Sequence, residues 1–169
     1  MQHEVRPLRV GDLPSVTEIY SAACRAREST QGMHPWSVEE MKEFLFGTPP
    51  SFESYTCTDN GAVIGWTALT RHHFNEGVKH TAEMSLYVSG AFRRKGVGSA
   101  LAHAVLSRAS ALNLHCVLAM VFNDSLEAVS FAQGECGFSI AGCLPEAFPG
   151  SGRNCDILVL EKLVVPWSR

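Results

Sequence analysis

The chain has 169 residues, 46% of them apolar, which is enough for a well-buried core, and we read 1–169 as one domain. Fourteen Lys and Arg against 17 Asp and Glu leave a formal net charge of −3, which speaks against a nucleic-acid partner. No apolar run reaches the ~18 residues a membrane-spanning helix needs, and Met1-Gln2-His3-Glu4-Val5-Arg6 lacks the apolar core of a leader peptide.

Residues 5–8 read as a first strand. Asp12 is placed to cap a helix carrying Leu13, Val16, Ile19, Tyr20 and Ala23 at helical spacing, with Pro14 tolerated in its first turn. Residues 29–36 are irregular. Ser37-Val38-Glu39-Glu40 is a capping box that starts a second helix, with Met41, Phe44 and Leu45 inward and Gly47 at its end. Pro49-Pro50 separates this helical pair from a hairpin, whose strands 55–58 and 62–70 meet across Asp59-Asn60-Gly61. A strand over 81–88 then enters a basic, glycine-rich turn. The helix that follows runs from 97 to about 112 and lines up Leu101, Ala104, Val105 and Leu112. Residues 115–122 form an apolar strand expected to be buried on both faces. A helix over 125–135, a strand over 138–144 and a last strand over 156–164 complete the order β-α-α-β-β-β-α-β-α-β-β, a mixed α/β sheet fold.

The six cysteines are scattered, with no Cys-x-x-Cys pair, and several sit in apolar runs. Free thiols in a reducing cytoplasm fit this better than disulfides or zinc. His72 and His73 are adjacent and have no third ligand nearby in sequence, so no metal site is expected.

The basic turn carries the chemistry. Gly96 and Gly98 leave backbone N–H groups open to an anion, a helix N-terminus adds partial positive charge, and Arg93, Arg94 and Lys95 add full charges. A dinucleotide fingerprint requires Gly or Ala where Leu101 stands, and a P-loop requires Gly-Lys-Ser/Thr, whereas Lys95 precedes Gly96. What remains is Arg93-x-x-Gly96-x-Gly98.

That hexapeptide, between the fourth strand and the third helix, resembles the acetyl-CoA loop of the general N-acetyltransferase superfamily (GNAT), and the element order resembles the GNAT fold. Three further segments resemble its phosphinothricin N-acetyltransferase branch: Ala82-Glu83-Met84-Ser85-Leu86-Tyr87-Val88, Ala111-Leu112-Asn113-Leu114-His115 and Gly152-Arg153-Asn154-Cys155-Asp156. Leu13-Pro14 with Ile19-Tyr20 extends the likeness to the N-terminus.

The resemblance implies an acetyl-CoA-dependent N-acetyltransferase of a small amino-acid-like amine, in a homodimer. Arg93, Arg94, Lys95, Gly96, Val97, Gly98 and Ser99 would hold the pyrophosphate. Leu86, Tyr87 and Val88 would hold the pantetheine arm as an added strand. Asn123 would touch the pantetheine or adenosine, or cap the following helix. Trp66, Arg71, Phe74 and Arg153 are acceptor-pocket candidates, Trp66 being equally suited to the core. Glu83, which alternation places on one strand face with Thr81, Ser85 and Tyr87, is the candidate general base. The competing role for Glu83 is a structural pair with Arg71 or Lys79. Two departures stand out. The Arg-Pro-Phe-like turn is replaced by Arg71-His72-His73-Phe74, and the usual proton-donating Tyr or His falls on Ala132 or Gln133. Two other functions therefore stay open. One is acetylation of a polyamine, aminoglycoside or protein amine, with Glu28, Glu39 and Glu40 supplying an acidic pocket. The other is a non-catalytic acyl-CoA sensor.

Overall fold

The computed structural model describes residues 3–47 and 51–164. Along the chain run β1 (His3–Pro7), α1 (Leu13–Arg25), α2 (Val38–Phe46), β2 (Glu53–Asp59), β3 (Ala62–Arg71), β4 (Thr81–Val88), α3 (Val97–Leu106), β5 (Cys116–Phe122), α4 (Leu126–Gly134), β6 (Ser139–Phe148) and β7 (Cys155–Leu163). This is the order expected from the sequence. Seven strands form one sheet, ordered β1-β2-β3-β4-β5-β7-β6, antiparallel everywhere except where β4 meets β5.

Alternation along the strands assigns each helix pair a face. Trp66 and Ala68 of β3 and Tyr87 of β4 point toward α1 and α2, where Leu13, Val16, Tyr20, Met41 and Leu45 close a core. Leu69 and Ala82 point the other way, toward Ala102 and Val105 of α3 and Ala132 of α4. The hairpin turn is the two-residue kind read from Asn60-Gly61, with φ of 50° and 82° at those residues. Gly65 lets α3 lie close on the sheet: a Cβ there would stand 3.0 Å from the Tyr87 carbonyl oxygen, 3.1 Å from Leu101 and 3.2 Å from Val97.

The Ser37–Glu40 box forms as expected, with Glu40 N–H donating to Ser37 Oγ at 3.2 Å and Ser37 N–H to Glu40 Oε2 at 2.7 Å. Asp12 does not cap α1 with its side chain. Its carboxylate instead accepts two bonds from Arg6, at 2.7 and 2.8 Å, and one from the Arg9 N–H at 2.8 Å. Two bonds from the Arg6 guanidinium outcompete a single bond from a helix N–H. The helix expected to reach 112 ends at Leu106 and continues as turns. Pro49-Pro50 lies outside the described residues.

The β4–β5 pairing is short. Thr81, Ala82 and Glu83 face Cys116, Val117 and Leu118, and there the ladder stops. Beyond that point β4 remains paired with β3 as far as Val88, and β5 with β7 as far as Phe122. The two strands therefore separate into a wedge. This is why β5 is only half-buried along 118–121, against the expectation of burial on both faces.

Candidate active site

The wedge is a cleft of about 540 Å³. Glu83, Ser85 and Tyr87 line it together with Met84 and Leu86, so residues of both strand faces reach it and the cleft passes through the sheet. On the α1–α2 side its walls include Glu28, Gln31, Trp36 and Phe44. On the other side they include Ala128, Phe131 and Ala132 of α4.

The basic turn sits where β4 ends. Gly96 has φ +81°, a left-handed conformation that glycine adopts freely. The first bond into α3 is Ala100 N–H to Gly96 O at 3.0 Å, so the N–H groups of Val97, Gly98 and Ser99 precede the helical ladder. Gly98 has a second role. A Cβ there would meet the Phe131 ring at 3.3 Å, so its bareness brings α4 close against α3.

Each charged or hydroxyl group of the turn already holds a carboxylate or an aromatic ring. Arg93 makes two bonds to Glu28, at 2.9 and 2.5 Å, and its Nε donates to Val88 O at 3.3 Å. Arg94 Nε donates to Glu127 at 3.1 Å and Ser99 Oγ to Glu135 at 3.1 Å, while Lys95 lies 5.3 Å from the Phe92 ring centroid. The Arg93 guanidinium holds the Glu28 carboxyl below the usual carboxylate range. Such exposed pairs contribute only about 0–1 kcal/mol each. A diphosphate concentrates two negative charges and several acceptor oxygens on one group, and the clustered N–H groups and cations suit it.

A strap of irregular chain crosses the cleft on the α1–α2 side. Arg27 is left-handed, φ +57°, and ends α1 with Arg27 N–H donating to Cys24 O and Glu28 N–H to Ala23 O. From there every residue as far as Gln31 makes a side-chain hydrogen bond to another part of the chain. Arg27 reaches Ser151 Oγ at 3.1 Å, and Glu28 holds Arg93. Ser29 Oγ bonds the Tyr87 hydroxyl at 2.8 Å, and Thr30 Oγ1 donates to Met120 O at 3.1 Å. Gln31 accepts from Tyr87 at 2.9 Å and donates to Ser85 Oγ at 2.6 Å. Burial pushes the Tyr87 phenol well above its ordinary range, so it stays a donor.

Glu83 lies where the ladder ends, its side chain 29% exposed. Its partner is neither Arg71 nor Lys79. Arg71 pairs with Ala82 and so points to the opposite face, stacked 4.8 Å above the Phe52 ring. Lys79 pairs with Glu76. His72 Nδ1 takes Glu83 Oε1 at 3.0 Å. A carboxylate only accepts, so the imidazole N–H donates.

The other expected site residues are spread out. Trp66 is fully buried beneath α1, its ring 5.1 Å from that of Tyr87, a core position. Phe74 is 78% exposed in the β3–β4 loop, and Arg153 is exposed before β7. Asn123 is exposed at the end of β5, its N–H donating to Asp156 O. The α4 N-cap is Ser125 rather than Asn123. Ala132 lines the cleft, whereas Gln133 is exposed. Cys136 is on the same wall, and burial pushes its thiol up to about 11. No group of three or more His, Cys, Asp or Glu suited to a metal ion occurs among the described residues, nor does a helix long and apolar enough to cross a membrane.

Residues 13–138 match the acetyltransferase (GNAT) family. YwnH of Bacillus subtilis, provisionally named a phosphinothricin acetyltransferase, is 29% identical over 152 residues, 89% of this chain and 93% of its own. An L-methionine sulfoximine/L-methionine sulfone acetyltransferase of Pseudomonas aeruginosa is 26% identical over 164 residues, 95% of this chain and 94% of that one. The crystal structure of a GNAT superfamily phosphinothricin acetyltransferase from Sinorhizobium meliloti, in complex with AcCoA, superposes with a TM-score of 0.87. It is 24% identical, over 97% of this chain and 89% of that one.

Proposed function

Because this chain belongs to the acetyltransferase (GNAT) family, we propose that it moves acetyl from acetyl-CoA to the amine of a small amino-acid-like acceptor, of the phosphinothricin or methionine sulfone type. The observation that carries this reading is the cleft through the sheet, lined by Glu83, with the glycine-rich basic turn where β4 ends. The acetyl-CoA, when bound, supplies the activated acetyl thioester.

The protein's part divides between the two sides. The turn from Arg93 to Ser99 holds the diphosphate, exchanging its carboxylate partners for phosphate oxygens. The β4 edge along Leu86, Tyr87 and Val88, free of β5, offers backbone groups to an extended arm as a further strand would. A backbone N–H of that edge is also the natural donor to an oxyanion. Glu83 takes a proton from the acceptor ammonium, directly or through a water, so that the neutral amine attacks. The strap at 27–31 closes the acceptor side and excludes solvent.

The acceptor chemistry follows from charge. Of the three carboxylates that could attract a polyamine, Glu28 is held by Arg93, Glu40 by its capping box, and Glu39 stands exposed on α2. That favours an amino-acid-like acceptor over a polycation. The buried free cysteines Cys24, Cys57, Cys116 and Cys136 support a reducing, cytoplasmic setting. The half-exposed Ile140 and Leu144 on the edge strand β6 support a homodimer.

The test is thiol release from acetyl-CoA across phosphinothricin, methionine sulfone and sulfoximine, ordinary amino acids, polyamines and a peptide amine. Turnover on an amino-acid analogue, reduced about a hundredfold or more in Glu83→Gln, is the expected result. Turnover confined to polyamines would overturn the acceptor assignment. Tight acetyl-CoA binding with no turnover on any amine would make the protein a sensor.

A further inference from the structure

We propose that His72 is the positioning residue of the catalytic carboxylate, holding Glu83 Oε1 so that Oε2 alone faces the acceptor amine; this rests on the reading of Glu83 as base.

The placement follows from strand register. Thr70 of β3 lies opposite Glu83 on the α1–α2 face, and His72 comes two residues later on that same face. His72 N–H donates to Thr81 O at 3.4 Å, so the antiparallel ladder persists just far enough to carry the imidazole diagonally back to the carboxylate. Among the described residues, His72 is the only side chain hydrogen-bonded to Glu83, and the bond uses one carboxylate oxygen. Both side chains are about one-third exposed, at 33% and 29%. The pair therefore stands at the cleft's edge rather than in the core. An unbranched carboxylate in a half-open cleft samples several rotamers, and one fixed donor selects among them before the amine arrives.

The experiment compares His72→Leu, His72→Asn and Glu83→Gln by steady-state kinetics on the best acceptor. Acetyl-CoA affinity and a thermal melt are measured for each. His72→Leu removes the donor, and His72→Asn keeps an N–H at the reach of Nδ1. The expected result is a loss of about tenfold or more in kcat for His72→Leu, with acceptor KM and acetyl-CoA affinity within about twofold of wild type. His72→Asn should recover kcat to within about threefold, and His72→Leu should have no further effect in the Glu83→Gln background. If His72→Leu does not fold, His72→Gln replaces it, since its amide is one methylene out of place; Gln should lose kcat where Asn retains it. Wild-type kcat in His72→Leu beside an inactive Glu83→Gln would overturn the positioning role and leave the base reading intact. Equal losses in the Asn and Leu variants would also overturn it. Full activity in Glu83→Gln would remove the base, and the positioning role with it.

Discussion

Replacing Gly65 by Ala tests whether the geometry of the glycine-rich turn is set by how closely α3 approaches the sheet. The added methyl would meet the Tyr87 carbonyl oxygen at 3.0 Å, Leu101 Cδ1 at 3.1 Å and Val97 Cγ1 at 3.2 Å. Val97 and Leu101 are 1% and 0% exposed, so neither has room to turn away. Overpacking of this kind costs about 1–3 kcal/mol. The stiffer unfolded chain returns about 0.4–1 kcal/mol. At mid-range the net is a destabilisation of about 1.3 kcal/mol, or a Tm lower by about 3–5 °C in a chain of this size. The least costly relief is for the first turn of α3 to lift by a few tenths of an ångström, carrying the N–H groups of Val97, Gly98 and Ser99 away from the β4 edge. Acetyl-CoA affinity should then fall about three- to tenfold, measured by calorimetry alongside the melt. Gly142→Ala is the control, because nothing lies within 4 Å of a Cβ there. A Gly65→Ala protein that melts at or above wild type and binds acetyl-CoA normally would refute the close-approach argument.

Two other perturbations probe charge. Asp12 has its carboxyl held below the usual range, chiefly by its bond from Arg6. That lowering stabilises the fold at pH values above the unfolded carboxyl's ~3.9 and is lost as pH falls through the lower folded value. Asp12→Asn should therefore cost about 2 kcal/mol at pH 7, and the gap to wild type should close below about pH 4 in denaturant titrations. A gap independent of pH would contradict the assignment. Glu28→Gln frees Arg93 and removes a carboxylate from beside the proposed diphosphate site, so acetyl-CoA should bind about two- to fivefold tighter at low salt, with a smaller gain at high salt. Weaker binding would mean that the strap contact matters more than the freed cation.

The parts legible in the sequence were those encoded by short spacing. The Asn60-Gly61 turn, the Ser37–Glu40 box and the glycine-rich turn are each specified by residues within a few positions of one another, and each is where its pattern placed it. The alternation of Thr81, Glu83, Ser85 and Tyr87 likewise put Glu83 on the correct side of β4. What escaped was long-range. Asp12 has the local pattern of a cap, but Arg6 approaches from β1 and takes the carboxylate. Arg71 and Glu83 are both charged and close in sequence, yet strand parity sends them to opposite faces. Nothing local marks His72, since two adjacent histidines without a third ligand make no metal site; continuing the alternation from Thr70 puts it beside Glu83. The partners of Glu28, Ser29, Thr30 and Gln31 lie 54 to 90 residues away, and no local pattern announces them.

The strap has a bearing on how the family can diversify. Surface connections usually tolerate insertions, because closing a slightly longer loop costs little entropy. Here five consecutive residues, Arg27 to Gln31, are anchored to the β6–β7 connection, the basic turn, β4 and β5, and the Glu28 N–H fixes their starting point on α1. One extra residue at its start would move every side chain off its partner at once, disengaging the β6–β7 connection, the basic turn and both arms of the wedge together. Length, more than residue identity, is therefore the constrained variable of this segment. The chain passes its last anchor to β4 at Gln31, and beyond it Gly32 and Trp36 are held instead by packing against Tyr20.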